Sequence, residues 1–143
     1  VTTRGRIDRR ALAARLVAAP RRLPELEAVV HPLVRREIEG FFAEAEARGE
    51  QIAVAEIPLL YEGGFDYGLD AVVVVVVDPA LQRKRVLARP GMSVEKLEAI
   101  LARQIPQAEK ERRADYVVDT SRSLEETENA INRIVADLVK QGA

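Results

Sequence analysis

Apolar residues along the chain recur first at helical intervals and then in short continuous runs. Leu12, Leu16 and Ala19 follow Asp8, whose carboxylate suits a helix N-cap, and Pro20 stops the pattern, so a helix is expected from Arg9 to about Ala19. Pro24 fits the first turn of a short helix, Leu23 to Val30. Pro32 is expected to start a longer one reaching about Arg48. Leu33, Val34, Ile38, Phe41, Phe42 and Ala45 keep helical spacing there, and Gly49 ends it. Gln51 to Ala55 reads as the first strand. Ala71 to Val77 reads as the second, and its unbroken valines predict burial on both faces, the habit of parallel strands.

Asp78 and Pro79 open a basic helix to about Arg89, and PGM makes a turn. Ser93 caps a helix from Val94 to Ile105, and Pro106 starts another short one. Asp115 to Asp119 is a third strand. Ser123 and Glu126 have the spacing of a capping box for a last helix, with Leu124, Thr127, Ile131, Ile134, Val135 and Leu138 inward. Strands alternating with helices predict an α/β fold, a parallel sheet covered by helices. The helical block over 8–48 is too long for a simple crossover and reads as an inserted subdomain.

Composition changes this picture little. The chain has 143 residues, 48% hydrophobic and 31% charged, which fits one globular domain. A net charge of −1 gives no global field towards nucleic acid or membranes. The absence of cysteine excludes disulfides and thiolate metal sites and agrees with a reducing, cytoplasmic setting. No apolar run approaches the roughly 20 residues that span a bilayer. The chain opens VTTRGRIDRR, without an initiator Met or a strand before the first helix, and is expected to start inside a longer domain.

Several residues are candidates for chemistry. Gln82, Arg85 and Arg89 share one face of the predicted basic helix; they form either a grip on phosphates or a solvated face. His31 is the only histidine, set before Pro32 at a junction between predicted helices, where it could cap backbone groups or touch a ligand. Glu56 ends the first predicted strand. It could hold a magnesium-bound water, as an acidic strand-end residue does in phosphoryl transfer, or simply face solvent. Glu62 follows two leucines and could meet a ligand or cap a turn. Gly63 and Gly68 have the five-residue spacing of a phosphate loop, but Leu69 and Asp70 stand where Lys and Ser or Thr belong. The 143 residues contain no such loop.

The order GRIDRRALAARLV, LEAVVHPLV, EIPLLYE, VVVVVDPALQRKRVLAR, ILARQ, ADYVVDTS resembles the dephospho-coenzyme A kinase family from about Gly5 to Leu138. The resemblance implies a P-loop kinase core with a helical substrate-binding part (5–48) and a helical lid (79–113), all in one partial domain. It implies ATP-dependent phosphorylation of the ribose 3′-hydroxyl of dephospho-coenzyme A, the last step of coenzyme A synthesis, with Mg²⁺ as metal. Asp8, Arg9, His31 and Pro58, Leu59, Leu60 and Glu62 fall at substrate-side positions. Gln82, Arg85, Arg89, Gln104 and Thr120 fall at lid and ATP positions, with Arg85 and Arg89 nearest the transferred phosphoryl group.

Thr120 stands where the family commonly has Asn, and Pro90 where it has Asp. The family's first strand, phosphate loop and second strand-end aspartate have no counterpart in the sequence. The chain is therefore expected to be a C-terminal fragment, inactive alone and prone to self-association. The alternatives are a non-catalytic coenzyme A or nucleotide-binding module, and another small-molecule P-loop kinase.

Overall fold

Asp8 carries the first local signal through into structure. Its Oδ1 accepts from the backbone N–H groups of Arg10 and Ala11, both at 3.0 Å, and starts helix α1 (Arg9–Ala18). The computed structural model describes residues 2, 3 and 6–142; Gly5, where the family resemblance begins, lies outside them. Before Asp8, β1 (Thr2–Thr3) pairs antiparallel with β2 (Arg6–Ile7), a short ladder that the sequence reading lacked. The chain divides into two units, Val1–Ala53 and Val54–Ala143.

In the first unit a 3₁₀ turn, Pro20–Arg22, leads into α2 (Leu23–Ala47). The expected break at Pro32 is corrected: one helix runs through it. Proline there removes one hydrogen bond and crowds the carbonyl of Ala28, but its φ is already helical, and helix on both sides holds it. His31 is therefore an exposed residue within a continuous helix and not at a junction. The helix ends as expected at Gly49. Its φ of +71° lets Gly49 N–H reach the Glu46 carbonyl at 2.9 Å and Glu50 N–H reach that of Ala45 at 3.1 Å, a Schellman closure.

In the second unit β3 (Val73–Val76) and β4 (Tyr116–Asp119) run parallel, Val74 opposite Val117. The expected strand at Gln51–Ala55 does not form among the described residues. A strand exists only by hydrogen bonding to a neighbour, which no local pattern supplies, and Val54 is 80% exposed.

Burial of β3 on both faces is also corrected. Val76 is buried, whereas Val73 and Val75 are exposed. Helix α7 (Leu124–Gln141) packs on β4, where Tyr116 O–H donates to Asp137 at 2.6 Å and Val118 is buried. Their register partners on β3, Val73 and Val75, stay exposed. The capping box of α7 is present in full, Ser123 Oγ accepting from Glu126 N–H and Glu126 accepting from Ser123 N–H. Its covered stripe is Thr127, Ala130, Ile134 and Leu138; Leu124, Ile131 and Val135 stay exposed.

The remaining helices are α3 (Leu60–Gly63), α4 (Pro79–Leu87), α5 (Val94–Leu101) and α6 (Gln107–Arg113). Two are shorter than their patterns predicted. Helix α4 stops before Arg89 because Pro90 disfavours helical backbone at the residue before it. Helix α5 stops at Leu101, short of Gln104 and Ile105; Pro106 keeps Ile105 itself out of helical backbone.

Candidate functional site

Ligands of open α/β sheets bind beyond the carboxyl ends of the strands, and in the second unit those ends carry a connected set of polar groups. Thr120, just past β4, donates from both N–H and Oγ1 to the Val76 carbonyl, at 2.9 and 3.0 Å. This pins the loop after β4 to the end of β3. Ser121 Oγ accepts from Asp78 N–H at 2.8 Å, and Asp78 in turn caps α4 through Leu81 N–H at 2.9 Å. From α4, Arg85 Nη2 donates to the Thr120 carbonyl at 3.1 Å. Asp119 accepts from Ser121, side chain and N–H, which holds its carboxyl below the usual carboxylate range. Arg85 and Thr120, distant in sequence, are thus brought together.

Arg89 differs from its expected placement. It sits in the turn after α4, closed by Met92 N–H on the Arg89 carbonyl at 3.2 Å and by Gly91 at a φ of +76°. Gln82, Arg85 and Arg89 therefore do not share one helix face; Gln82 is half-buried on α4 and Arg89 is exposed beyond it. Gln104 lies in the turn after α5, where its Oε1 accepts from Lys110 Nζ at 3.1 Å.

The PLLYE segment forms a tight turn. Leu59 has a φ of +57°, the single non-glycine positive φ among the described residues. A left-handed leucine costs about 1–2 kcal/mol, so surrounding structure must fix it, and such strain gathers at functional turns. Pro58 and Leu59 are exposed and Leu60 half-buried. Glu62, with its side chain 13% exposed, accepts from Ile105 N–H at 2.9 Å and from Lys110 Nζ at 3.2 Å. Burial pushes its carboxyl up, but the bonds from Ile105 N–H, its own amide and Lys110 outweigh that and hold it below its ordinary value. Tyr61 places its ring under Arg113, 4.4 Å from guanidinium carbon to ring centre. Burial raises the Tyr61 phenol, opposed by Arg113. Lys110 and Arg113 were missed in sequence, and Tyr61 figured only as part of the PLLYE segment; the i, i+3 pair of cations on α6 was the available signal.

Beyond Glu62, Asp66 Oδ1 accepts from Gly68 N–H at 2.8 Å, so a carboxylate occupies the place where a phosphate loop would present amides. Glu56 is exposed. Among the described residues no group of three or more His, Asp or Glu could hold a metal. A lone carboxylate fits an ion held chiefly by nucleotide phosphates and water, and does not fit a protein-built cage. In the first unit Asp8 serves the start of α1, Arg9 is exposed on its first turn, and His31 is exposed on α2. Among the described residues no helix is long and apolar enough to cross a membrane.

The family model described as dephospho-CoA kinase matches residues 1–126. The chain is 52% identical over 134 residues to dephospho-CoA kinase of Rhizobium meliloti (strain 1021), covering 94% of this chain and 69% of that one. It is 49% identical to that of Rhodopseudomonas palustris (strain BisB18), covering 97% and 70%. A crystal structure of a Thermus thermophilus protein superposes with a TM-score of 0.68 at 39% identity, over 95% of this chain and 70% of that chain. Dephospho-CoA kinase from Campylobacter jejuni, at 24% identity, shares the fold with a TM-score of 0.67, over 100% and 71%. The short parallel sheet with helices around it is thus the α/β core of this fold, and the chain belongs to the dephospho-CoA kinase family.

Proposed function

We propose that these 143 residues are the lid- and acceptor-bearing part of an ATP-dependent kinase acting on the ribose 3′-hydroxyl of dephospho-coenzyme A, the final step of coenzyme A synthesis. The observation that carries this reading is the tie between Arg85 and the Thr120 carbonyl at the strand ends, in a chain of this family. In this reading Gln82, Arg85, Arg89 and Gln104 belong to a lid over ATP, and Thr120 borders the nucleotide. Arg89, exposed and past the helix end, meets the transferred phosphoryl group, while Arg85 shapes the loop around the base. Asp8, Arg9 and His31, with Pro58, Leu59, Leu60 and Glu62, serve the acceptor side. Mg²⁺ supplies charge neutralisation on the phosphates, and Glu56 would face it through water. The setting is cytoplasmic.

Phosphoryl transfer needs a cradle of backbone N–H groups and a lysine around the β- and γ-phosphates. The sequence contains no such loop. The chain by itself therefore binds without turning over, which also gives weight to the second reading, a non-catalytic coenzyme A or nucleotide-binding module. Calorimetric titration with ATP and with dephospho-coenzyme A, beside a coupled assay in a preparation cleared of host kinase, tests both. Binding with no turnover is expected. Turnover above a no-protein blank refutes inactivity, and no binding of either ligand sinks the site.

A further inference from the structure

We propose that Tyr61 and Glu62 are positioning residues that pin α6 to the core, so that the segment moving over a nucleotide ends at Gln104 and α6 is its fixed base. The moving part rests on the lid reading above; the pinning stands on geometry alone.

Two consecutive residues of the four-residue α3 turn each hold a different cation of α6. Glu62 takes Lys110 at 3.2 Å, and Tyr61 lies under Arg113 at 4.4 Å. Lys110 and Arg113 are three apart and so lie on one side of the helix. Glu62 also accepts the N–H of Ile105 at 2.9 Å. That amide is the last available one before Pro106, which has none to give. Lys110 Nζ is shared between Glu62 and the Gln104 side chain, 3.1 Å away, so one ammonium ties the turn, the joint and the helix together. The two side chains are 13% and 22% exposed, and charge-assisted bonds at such sites exceed those at open surface. Helix α6 also packs against β3.

The ties on the other side of the joint are weaker. Helices α4 and α5 pack on each other, cross-linked by an exposed pair, Arg83 and Glu98, at 3.9 Å, and exposed pairs contribute little. Helix α4 is fastened to the strand ends by the exposed Arg85–Thr120 bond. Leu97 keeps α5 anchored by apolar burial, and Asp78 N–H on Ser121 Oγ holds the start of α4. The part-buried polar ties begin only at Ile105, so the turn over 102–104 is where motion can be absorbed.

Hydrogen–deuterium exchange on the 143-residue chain, without nucleotide, tests the pinning in Glu62→Gln, Lys110→Met, the double variant, Tyr61→Phe and Lys110→Arg. Glu62→Gln and Lys110→Met are each expected to speed exchange over 105–113 by about tenfold, the scale of one charge-assisted bond. The double variant should go no further than either single one, with 124–141 unchanged. Tyr61→Phe keeps the ring against Arg113 and Lys110→Arg keeps the charge, so both should exchange as wild type. Additive single effects, no change over 105–113, or an equal rise through 124–141 overturns the proposal, as does loss of protection in Lys110→Arg. Added ATP should protect residues within 79–104 and leave 107–113 unaltered; protection running through Arg113 overturns the boundary. Failure to bind ATP sinks the nucleotide reading and leaves the variants' exchange to decide the pinning.

Discussion

Arg89 precedes a proline, and that sets what the side chain can do. With helix α4 ended at Leu87, its guanidinium is carried by a turn and not by the helix face that bears Arg85. Arg85 already spends one donor on the Thr120 carbonyl. The two arginines therefore differ in task. A group that meets charge developing in the transition state lowers kcat when removed, whereas one that shapes the binding site raises KM. In a chimaera completed by the part of a full-length relative that this chain does not span, Arg89→Ala is expected to lower kcat by roughly 10²-fold, the scale of one lost preorganised donor. Arg85→Ala is expected mainly to raise the KM for ATP. Arg83 pairs with Glu98 at 3.9 Å on exposed surface, so Arg83→Ala is the control. None should lower Tm much, since exposed pairs contribute only ~0–1 kcal/mol. Equal activity of Arg83→Ala and Arg89→Ala in steady-state assays means that the basic segment is solvated surface.

Several helix ends were legible from local signals, though the early ends of α4 and α5, ahead of Pro90 and Pro106, were not. The end of α2 allows the local signal to be measured. A Cβ built on Gly49 meets nothing within 4 Å, so its φ of +71° is the whole obstacle to alanine. Gly49→Ala should cost about 1–2 kcal/mol in denaturant unfolding. Gly63→Ala is the comparison, with equal space and no positive φ; an equal loss there would mean that backbone strain is not the cause. The Asp8 cap, the Gly49 stop and the Ser123–Glu126 box could be read because each depends on residues within one turn. The Pro32 break failed because helix on either side outweighs one missing hydrogen bond. Gln51–Ala55 failed as a strand because pairing is not local. Glu62, read as a substrate residue, also takes Lys110 and Ile105, partners more than forty positions away. No spacing rule reaches that far.

At the scale of the whole molecule, apolar content and burial do not match. The chain is 48% hydrophobic, yet the buried hydrophobic residues among those described are Ala45, Val76, Leu97 and Val118. Its accessible surface is 11357 Å². A monomer of this mass is expected to expose about 7,400 Å², and two separate domains of these lengths about 8,800 Å² together. The excess over the larger figure, about 2,500 Å² on one chain, matches what each partner buries in a large obligate interface, where the two together bury about 5,000 Å².

Part of it is a patch on the second unit, where Val73 and Val75 stand 43% and 66% exposed on a strand bonded to one neighbour among the described residues. Ile131 and Val135 add to the exposed apolar surface, at 47% and 42%. Open strand edges and apolar patches of this kind drive association. Self-association of the chain is the expected outcome, seen as sedimentation boundaries that move to larger species with concentration. Val75→Lys should shift those boundaries back towards monomer, because a charge at the centre of the patch must be desolvated when two copies meet. A sharp monomeric boundary for the unaltered chain at every concentration, with cooperative melting, would mean that this surface needs no cover.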